Sequence, residues 1–196
     1  MLWLGSTTLR IETIGLSKLF IHNPHCAGTA FHHHLSETGE LCSLSWPRGL
    51  AHSCAREWQL LYPTEWDNLE TVAIVRNPYD RLVSMFIHEL ETKFTLHTQF
   101  DSWLFCGNYK SKWPFDVRKT SQTNFLTDFN NHLPNSILKF ELDLHFEAYY
   151  WREEMKSGLS PKRPHYSKFY TNESIEWVSA FFKDDLENWG YVYESK

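Results

Sequence analysis

The segment FIHNPHCAGTAFHHHL, at residues 20–35, has the residue types of an anion-binding loop between a strand and a helix. A short apolar run comes first, the small residues Ala27 and Gly28 follow, and Thr29 then supplies a hydroxyl where a helix would begin. In such a turn, consecutive backbone N–H groups form a concave cradle whose potential the helix N-terminus makes more positive. The residue types therefore predict a phosphate site, although an ordinary strand–turn–helix corner explains them equally well.

A second loop, VRNPYDRLVSMF at residues 75–86, has the residue types of an anion site of another kind. Arg76 ends an apolar run, and Pro78 suits the first turn of the helix that follows. The polar residues at i, i+3 and i+7 of that helix share one side: Arg81, Ser84 and His88. An arginine fork beside a hydroxyl is suited to holding a phosphate. For Arg81, an ion pair with Asp80 or Glu57 is at least as good an explanation.

Histidines and a cysteine near the first loop raise the alternative of a metal site: His22, His25, Cys26, His32, His33 and His34. Three consecutive histidines on a helix point about 100° apart and cannot all face one ion. The segment also lacks the paired CxxC or HExxH spacing of zinc sites. We therefore predict no metal site.

Apolar patterns predict the elements that position these loops. Short apolar runs predict strands at 18–22, 71–75 and 136–140, with a further edge strand at 8–14. Helical spacing predicts helices at 30–38, 51–61, 79–90 and 172–182. Strands that alternate with helices indicate an α/β fold with a central parallel sheet flanked by helices. Both loops follow predicted strands, so we expect them at the carboxyl edge of the sheet, where such folds bind ligands.

Composition limits the class of protein and its partners. The 196 residues suit a single domain spanning 1–196. A net charge of −5 disfavours binding to nucleic acid or another polyanion, so an anion site must be local. The four cysteines form neither a CxxC pair nor a dense framework, which indicates free thiols in a reducing compartment. The N-terminus resembles neither a signal peptide nor a membrane span, and we expect a cytoplasmic protein without stable membrane insertion.

The two loops resemble the phosphate-binding motifs of sulfotransferases, in the order seen in the carbohydrate-type and bacterial members. Residues 21–30 are similar to the 5′-phosphosulfate loop, and residues 75–84 fill every signature position of the 3′-phosphate motif R-x-P-x-x-R-x-x-S. Further similarities cover most of the chain, at 50–52, 122–128, 140–142, 169–170, Asp185 and 190–191. The resemblance implies a P-loop-like sulfotransferase fold.

The resemblance also implies roles for individual residues. The donor is 3′-phosphoadenosine 5′-phosphosulfate, which leaves as 3′-phosphoadenosine 5′-phosphate. Its 3′-phosphate is held by Arg76 and Ser84. Its 5′-phosphosulfate is held by the backbone and hydroxyl groups of the first loop: His25, Cys26, Ala27, Gly28, Thr29 and Ala30. A basic segment at 160–164 is similar in place to one that covers the nucleotide.

Three histidines are candidates for the catalytic roles that the resemblance implies. His52 is the leading candidate for the base that accepts the acceptor's proton, and His88 is the second. His25 replaces the lysine that stabilises charge on the leaving group in this family, and a protonated imidazole can supply the same charge.

The leading hypothesis is thus a sulfotransferase that acts on a hydroxyl or amine and needs no metal. A non-catalytic sulfonucleotide-binding module is the alternative from another class. A P-loop kinase is disfavoured because its lysine and its magnesium-binding carboxylate are missing. The acceptor is a small molecule, a lipid or a glycan, and the sequence does not specify an oligomeric state.

Overall fold

The structure is a computed structural model that describes residues 18–26, 52–107, 109, 115–140 and 164–196. Within these ranges the chain forms an α/β fold. The edge strand expected at 8–14 and the helix expected at 30–38 lie outside the described residues. The same holds for Ala27, Gly28, Thr29 and Ala30 of the first loop, and for 160–163 of the basic segment.

Three parallel strands form the sheet in the order β1-β2-β3. They are β1 Lys18–Ile21, β2 Glu70–Arg76 and β3 Ser136–Phe140. The predicted parallel sheet is therefore confirmed. β1 stops where Ile21 pairs with Ala73, whereas β2 continues to Arg76, which pairs with Phe140 of β3. β2 therefore extends beyond β1 at the carboxyl edge.

Seven α-helices are described, together with 3-10 turns at Val117–Lys119 and Tyr166–Phe169. The helices are α1 Ala55–Leu61, α2 Pro63–Asn68, α3 Pro78–Glu91, α4 Phe100–Leu104, α5 Gln122–Leu126, α6 Asn172–Phe181 and α7 Lys183–Trp189. α3 and α6 match the predicted helices to within one residue at each end. The helix predicted at 51–61 was placed too early, because residues 52–54 are not helical. The backbone N–H of Cys54 donates to the Glu57 carboxylate and fixes the start of α1.

Alternating residues of β1 and β2 are buried on opposite faces of the sheet, as the two-residue period of a strand requires. On one face, the strand residues Leu19, Ile21, Ala73 and Val75 pack against side chains of α1, α5 and α7. Those side chains are Trp58, Phe125, Leu126 and Trp189. The other face carries Phe20, Val72 and Ile74 beside Cys26. The apolar side of α3 forms a further cluster with α4 and α6. These contacts pack α5 against the sheet and α3 against α4 and α6.

The junction between β2 and α3 is fixed by hydrogen bonds. Asn77 accepts from the backbone N–H of Tyr79 (3.1 Å) and donates to the carbonyl of Val192 (3.1 Å). The Tyr191 hydroxyl donates to the carbonyl of Val75 (3.2 Å). These hydrogen bonds fix the turn at which the segment from Val75 to Ser84 passes from strand to helix.

Candidate functional site

The loops that follow β1 and β2 meet at the carboxyl edge of the sheet. Arg76 Nη1 donates to the backbone carbonyl of His25 (3.2 Å), and Arg76 Nε donates to Asp80 Oδ2 (2.6 Å). The guanidinium also lies over the ring of Phe140, 4.7 Å from its centroid. Arg76 is therefore held between the first loop, the start of α3 and the end of β3.

One end of the Arg76 guanidinium lacks an acceptor among the residues that the structure describes. The residue is only 4% exposed, and its Nη2 is buried with no hydrogen-bond partner among the described residues. A buried cationic donor without an acceptor costs more free energy than an ordinary unsatisfied amide. The atom is consequently one that an anionic oxygen would stabilise.

His25 lies in a left-handed backbone conformation with φ of 61°. Histidine is one of the few residue types enriched there. Its ring lies edge-on to that of His88, with 5.4 Å between the centroids. The side chain that replaces the expected lysine is thus half-buried against α3.

One face of α3 carries the polar residues of the second motif. Asp80, Ser84 and His88 follow one another at four-residue spacing and therefore share that face. Asp80 contacts Arg76 and His88 contacts His25. Ser84, which is half-buried, lies between these two contacts. The structure thus brings His25, Arg76 and His88 together, and Ser84 lies one helical turn from His88 on the same face of α3.

Arg81 has a different position from the other polar residues of the motif. It is 1% exposed, and it donates from Nε to the carbonyl of Pro24 (2.9 Å) and from Nη1 to that of Thr120 (3.0 Å). Its Nη2 is buried without a partner among the described residues. Arg81 therefore fastens the first loop to the segment before α5.

His52, the leading candidate base, lies against His22, the residue that follows β1. Its Nδ1 is 3.4 Å from the carbonyl oxygen of His22, and the two ring centroids are 4.4 Å apart. His88 lies instead against His25. The two candidate bases therefore contact residues on either side of Asn23.

Cys26 points into the core, where its Sγ lies 3.1 Å from Gln122 Oε1. Burial raises the pKa of this thiol to about 11, although the nearby Arg81 and Arg76 guanidinium groups oppose the rise. The side chain is therefore a neutral thiol near pH 7. A contribution of Cys26 to ligand binding would come from its backbone N–H.

Gln122 was not predicted as a site residue. It is fully buried and hydrogen-bonds to both loops, through Asn23 and Cys26 of the first and the backbone of Arg76 in the second. The local sequence offers one signal: Gln122 directly follows Ser121, and serine often precedes the first residue of a helix. That signal does not indicate what the side chain would contact.

An opening elsewhere in the described part of the chain does not include these residues. A cavity of about 540 Å³ lies at the amino ends of β2 and β3. Glu70, Thr71 and Asn135 line it together with Trp66 and Asp128. Asp128 Oδ1 accepts from two backbone N–H groups, those of Asn130 and His132. The cavity and the predicted phosphate loops are thus at opposite edges of the sheet.

The described part of the chain contains no group of three or more side chains placed to hold a metal ion. None of its helices is both long enough and apolar enough to cross a membrane. His32, His33 and His34 lie outside it. Comparisons with protein-family models, curated proteins and solved structures give no match.

Proposed function

We propose that this protein is a sulfotransferase that transfers a sulfuryl group from 3′-phosphoadenosine 5′-phosphosulfate to a hydroxyl or amine acceptor. The observation that carries the proposal is the contact between Arg76 and His25 at the carboxyl edge of a parallel sheet. It joins the R-x-P-x-x-R-x-x-S motif to the loop after β1, which is the arrangement needed to hold two phosphates of one nucleotide. On this proposal the chain has the P-loop-like sulfotransferase fold.

The donor suits the residues at this edge. The Nη2 of Arg76, which has no partner in the described ranges, can donate to a 3′-phosphate oxygen. Ser84 offers a hydroxyl on the face of α3 that also carries Asp80. Because Nη2 is covered, the nucleotide must displace part of that cover when it binds. The 5′-phosphosulfate is assigned to the loop from His25 to Ala30, whose last four residues lie outside the described ranges.

In the proposed reaction the acceptor oxygen forms a bond to sulfur while the bond from sulfur to the 5′-phosphate oxygen breaks. The acceptor's proton passes to a neutral imidazole, with His52 as the first candidate and His88 as the second. A protonated His25 stabilises the charge that develops on the leaving phosphate. Turnover should therefore rise with pH as the base loses its proton and fall as His25 loses its own.

The identity of the base can be tested by a pH profile. We expect His52→Gln to lower kcat and to remove the limb that rises with pH, while His88→Gln keeps that limb. The reverse result would assign the base to His88.

The acceptor remains a small molecule, a lipid or a glycan, and a cytoplasmic location is part of the proposal. A non-catalytic sulfonucleotide-binding module is the second candidate. The observation in its favour is that an imidazole, not a permanent cation, follows Pro24.

Binding of adenosine 3′,5′-bisphosphate, measured by calorimetry, tests both candidates. Loss of a charge-assisted hydrogen bond should weaken binding by Arg76→Ala roughly ten- to a hundredfold. Arg56→Ala is the matched control, since it removes the same charge from an exposed arginine that lies over Phe129. Equal, weak binding by wild type and Arg76→Ala would reject both candidates. Release of 3′-phosphoadenosine 5′-phosphate in the presence of an acceptor panel then separates the enzyme from the binding module.

A further inference from the structure

The carboxyl edge of the sheet has a gap beside β2. β1 pairs with β2 only as far as Ala73, and the chain then turns away at Asn23 and Pro24. From Ile74 to Arg76, the backbone N–H and C=O groups of β2 that face the β1 side have no strand residue of β1 opposite them. Buried backbone N–H and C=O groups need partners. Side chains must therefore supply the hydrogen bonds that a longer strand would have made.

Two amide side chains fill this gap. Asn23 Nδ2 donates to the carbonyl of Ile74 (3.2 Å). Gln122 Oε1 accepts from the N–H of Arg76 (2.9 Å), and Gln122 Nε2 donates to the carbonyl of the same residue (2.7 Å). Because a backbone N–H only donates and a carbonyl only accepts, these two bonds determine the orientation of the Gln122 amide. Gln122 thus pairs with Arg76 as a strand residue would.

The same amide also holds the first loop. Gln122 Oε1 accepts from Asn23 Nδ2 (2.9 Å) and from the Cys26 thiol (3.1 Å) in addition to Arg76. Three donors from two loops therefore converge on one fully buried oxygen. A substitution that removes this oxygen should alter the distance between the loops, because both loops donate hydrogen bonds to it.

Gln122 is itself held from its other side. Its backbone N–H donates to Asp185 Oδ2 (2.7 Å), and that of Thr123 donates to Asp185 Oδ1 (2.8 Å). Asp185 is fully buried on α7. The amide is consequently fixed to the core and does not depend on a bound ligand for its place.

We propose that Gln122 is a positioning residue that sets the separation of the two phosphate-binding loops, so that one sulfonucleotide spans both. The inference rests on the proposed function. A planar amide suits this role because it offers an acceptor and a donor to the same backbone residue. Leucine offers neither, and an ionised carboxylate offers no donor to the carbonyl of Arg76.

The first test is the affinity of Gln122→Leu for adenosine 3′,5′-bisphosphate. We expect a loss of roughly tenfold or more, because buried hydrogen bonds on both loops are removed. Asn124→Leu, at an exposed position of α5, is the matched control and should bind like wild type. If Gln122 acts through Arg76, the leucine substitution should weaken binding much less in an Arg76→Ala background. A merely structural role would give the same loss in both backgrounds.

The second test uses Gln122→Glu and remains informative if the leucine variant does not fold. A protonated carboxyl can donate to the carbonyl of Arg76, whereas the ionised form places an anion beside that oxygen. The charged and titratable groups around this position are Arg76, Asp80, Arg81, Asp185 and Cys26. The ratio of the variant's Kd to that of wild type at the same pH cancels the titration of the nucleotide. We expect this ratio to lie near one at acid pH and to rise as pH rises.

The outcomes separate this inference from the function on which it rests. If Arg76→Ala binds the nucleotide roughly ten- to a hundredfold more weakly than wild type, the proposed function stands. Wild-type affinity in a folded Gln122→Leu, or a pH-independent ratio for Gln122→Glu, would then overturn the role of Gln122 alone. Equal binding by wild type and Arg76→Ala would instead overturn the proposed function.

Discussion

At the scale of single residues, His25 is the position on which turnover depends if the proposed function is right. Its ring contacts His88, and its carbonyl accepts from Arg76. On the proposed mechanism its charge depends on pH, whereas a lysine would be charged throughout the neutral range. The replaced residue and its neighbours therefore define a direct substitution test.

We expect His25→Lys to preserve or raise turnover and to remove the loss of activity at higher pH. Lysine is longer than histidine and permanently charged, so it can reach the leaving phosphate in the way that the family pattern implies. The measurement is the rate of release of 3′-phosphoadenosine 5′-phosphate from pH 6 to 9. His132→Lys, at an exposed position near the amino edge of the sheet, controls for the change in net charge. A fall to background in His25→Lys alone would show that His25 has another role.

Cys26 predicts a pH dependence of stability. Its pKa is raised from 9.0 to about 11 in the folded protein, mainly by burial. As pH rises, the thiol ionises in the unfolded protein before it ionises in the folded protein. Its contribution to the free energy of unfolding is therefore constant below about pH 9 and is lost as pH rises from about 9 to 11. The rise in pKa corresponds to a loss of roughly 2–3 kcal/mol in the free energy of unfolding. We expect the stability difference between wild type and Cys26→Ser, measured by urea unfolding, to fall by about that amount, and a constant difference would contradict the assignment.

At the scale of elements, α5 depends on a carboxylate from another helix. It has only five residues, and isolated helices of that length are unstable in water. Ser121 caps it locally, and Asp185 accepts from two of its first backbone N–H groups. The position of Gln122 therefore depends on α7.

We expect Asp185→Asn to lower the free energy of unfolding by about 2–4 kcal/mol, because one buried N–H would face an amide donor in place of an acceptor. Asp184→Asn is the matched control on the same helix. Asp184 is exposed, so its substitution should change stability by less than about 0.5 kcal/mol. Urea unfolding gives both values. Equal effects of the two substitutions would show that the buried hydrogen bonds of Asp185 contribute little.

The sequence predicted elements well where apolar periodicity determines them. The predicted strand at 136–140 coincides with β3, and α3 differs from its predicted helix by one residue at each end. β2 is longer than its apolar run because Arg76 pairs with Phe140, and that pairing depends on a strand more than sixty residues away. The sequence missed α5 because five residues carry too little periodicity to identify a helix.

At the scale of the whole molecule, the parallel arrangement of the strands explains what could be predicted about the site. Strands that run the same way bring their following loops to one edge, so the meeting of His25 and Arg76 followed from local patterns. The burial of Arg76 against Asp80 and the position of Gln122 did not follow. Both depend on how distant elements pack, which no local pattern records.

Net charge also acts at this scale. The chain carries 24 acidic and 19 basic side chains, and its mean field therefore repels extended anions. An anion can bind only where local donors outweigh that field. Arg76 is such a donor, because its Nη2 is buried without a partner among the described residues.

This charge balance predicts that the protein distinguishes a compact nucleotide from a polyanion. A ligand that binds only the native state, at about a hundred times its Kd, raises the free energy of unfolding by about 2.7 kcal/mol. We expect adenosine 3′,5′-bisphosphate to produce such a rise in urea unfolding. Arg76→Ala, which should bind roughly ten- to a hundredfold more weakly, should reduce the rise to about 0.4–1.4 kcal/mol at the same concentration. Single-stranded DNA at the same phosphate concentration should not stabilise the protein, because its affinity would require a basic surface. Stabilisation by DNA that survives in Arg76→Ala would show that anions bind elsewhere, through a surface that the overall charge does not predict.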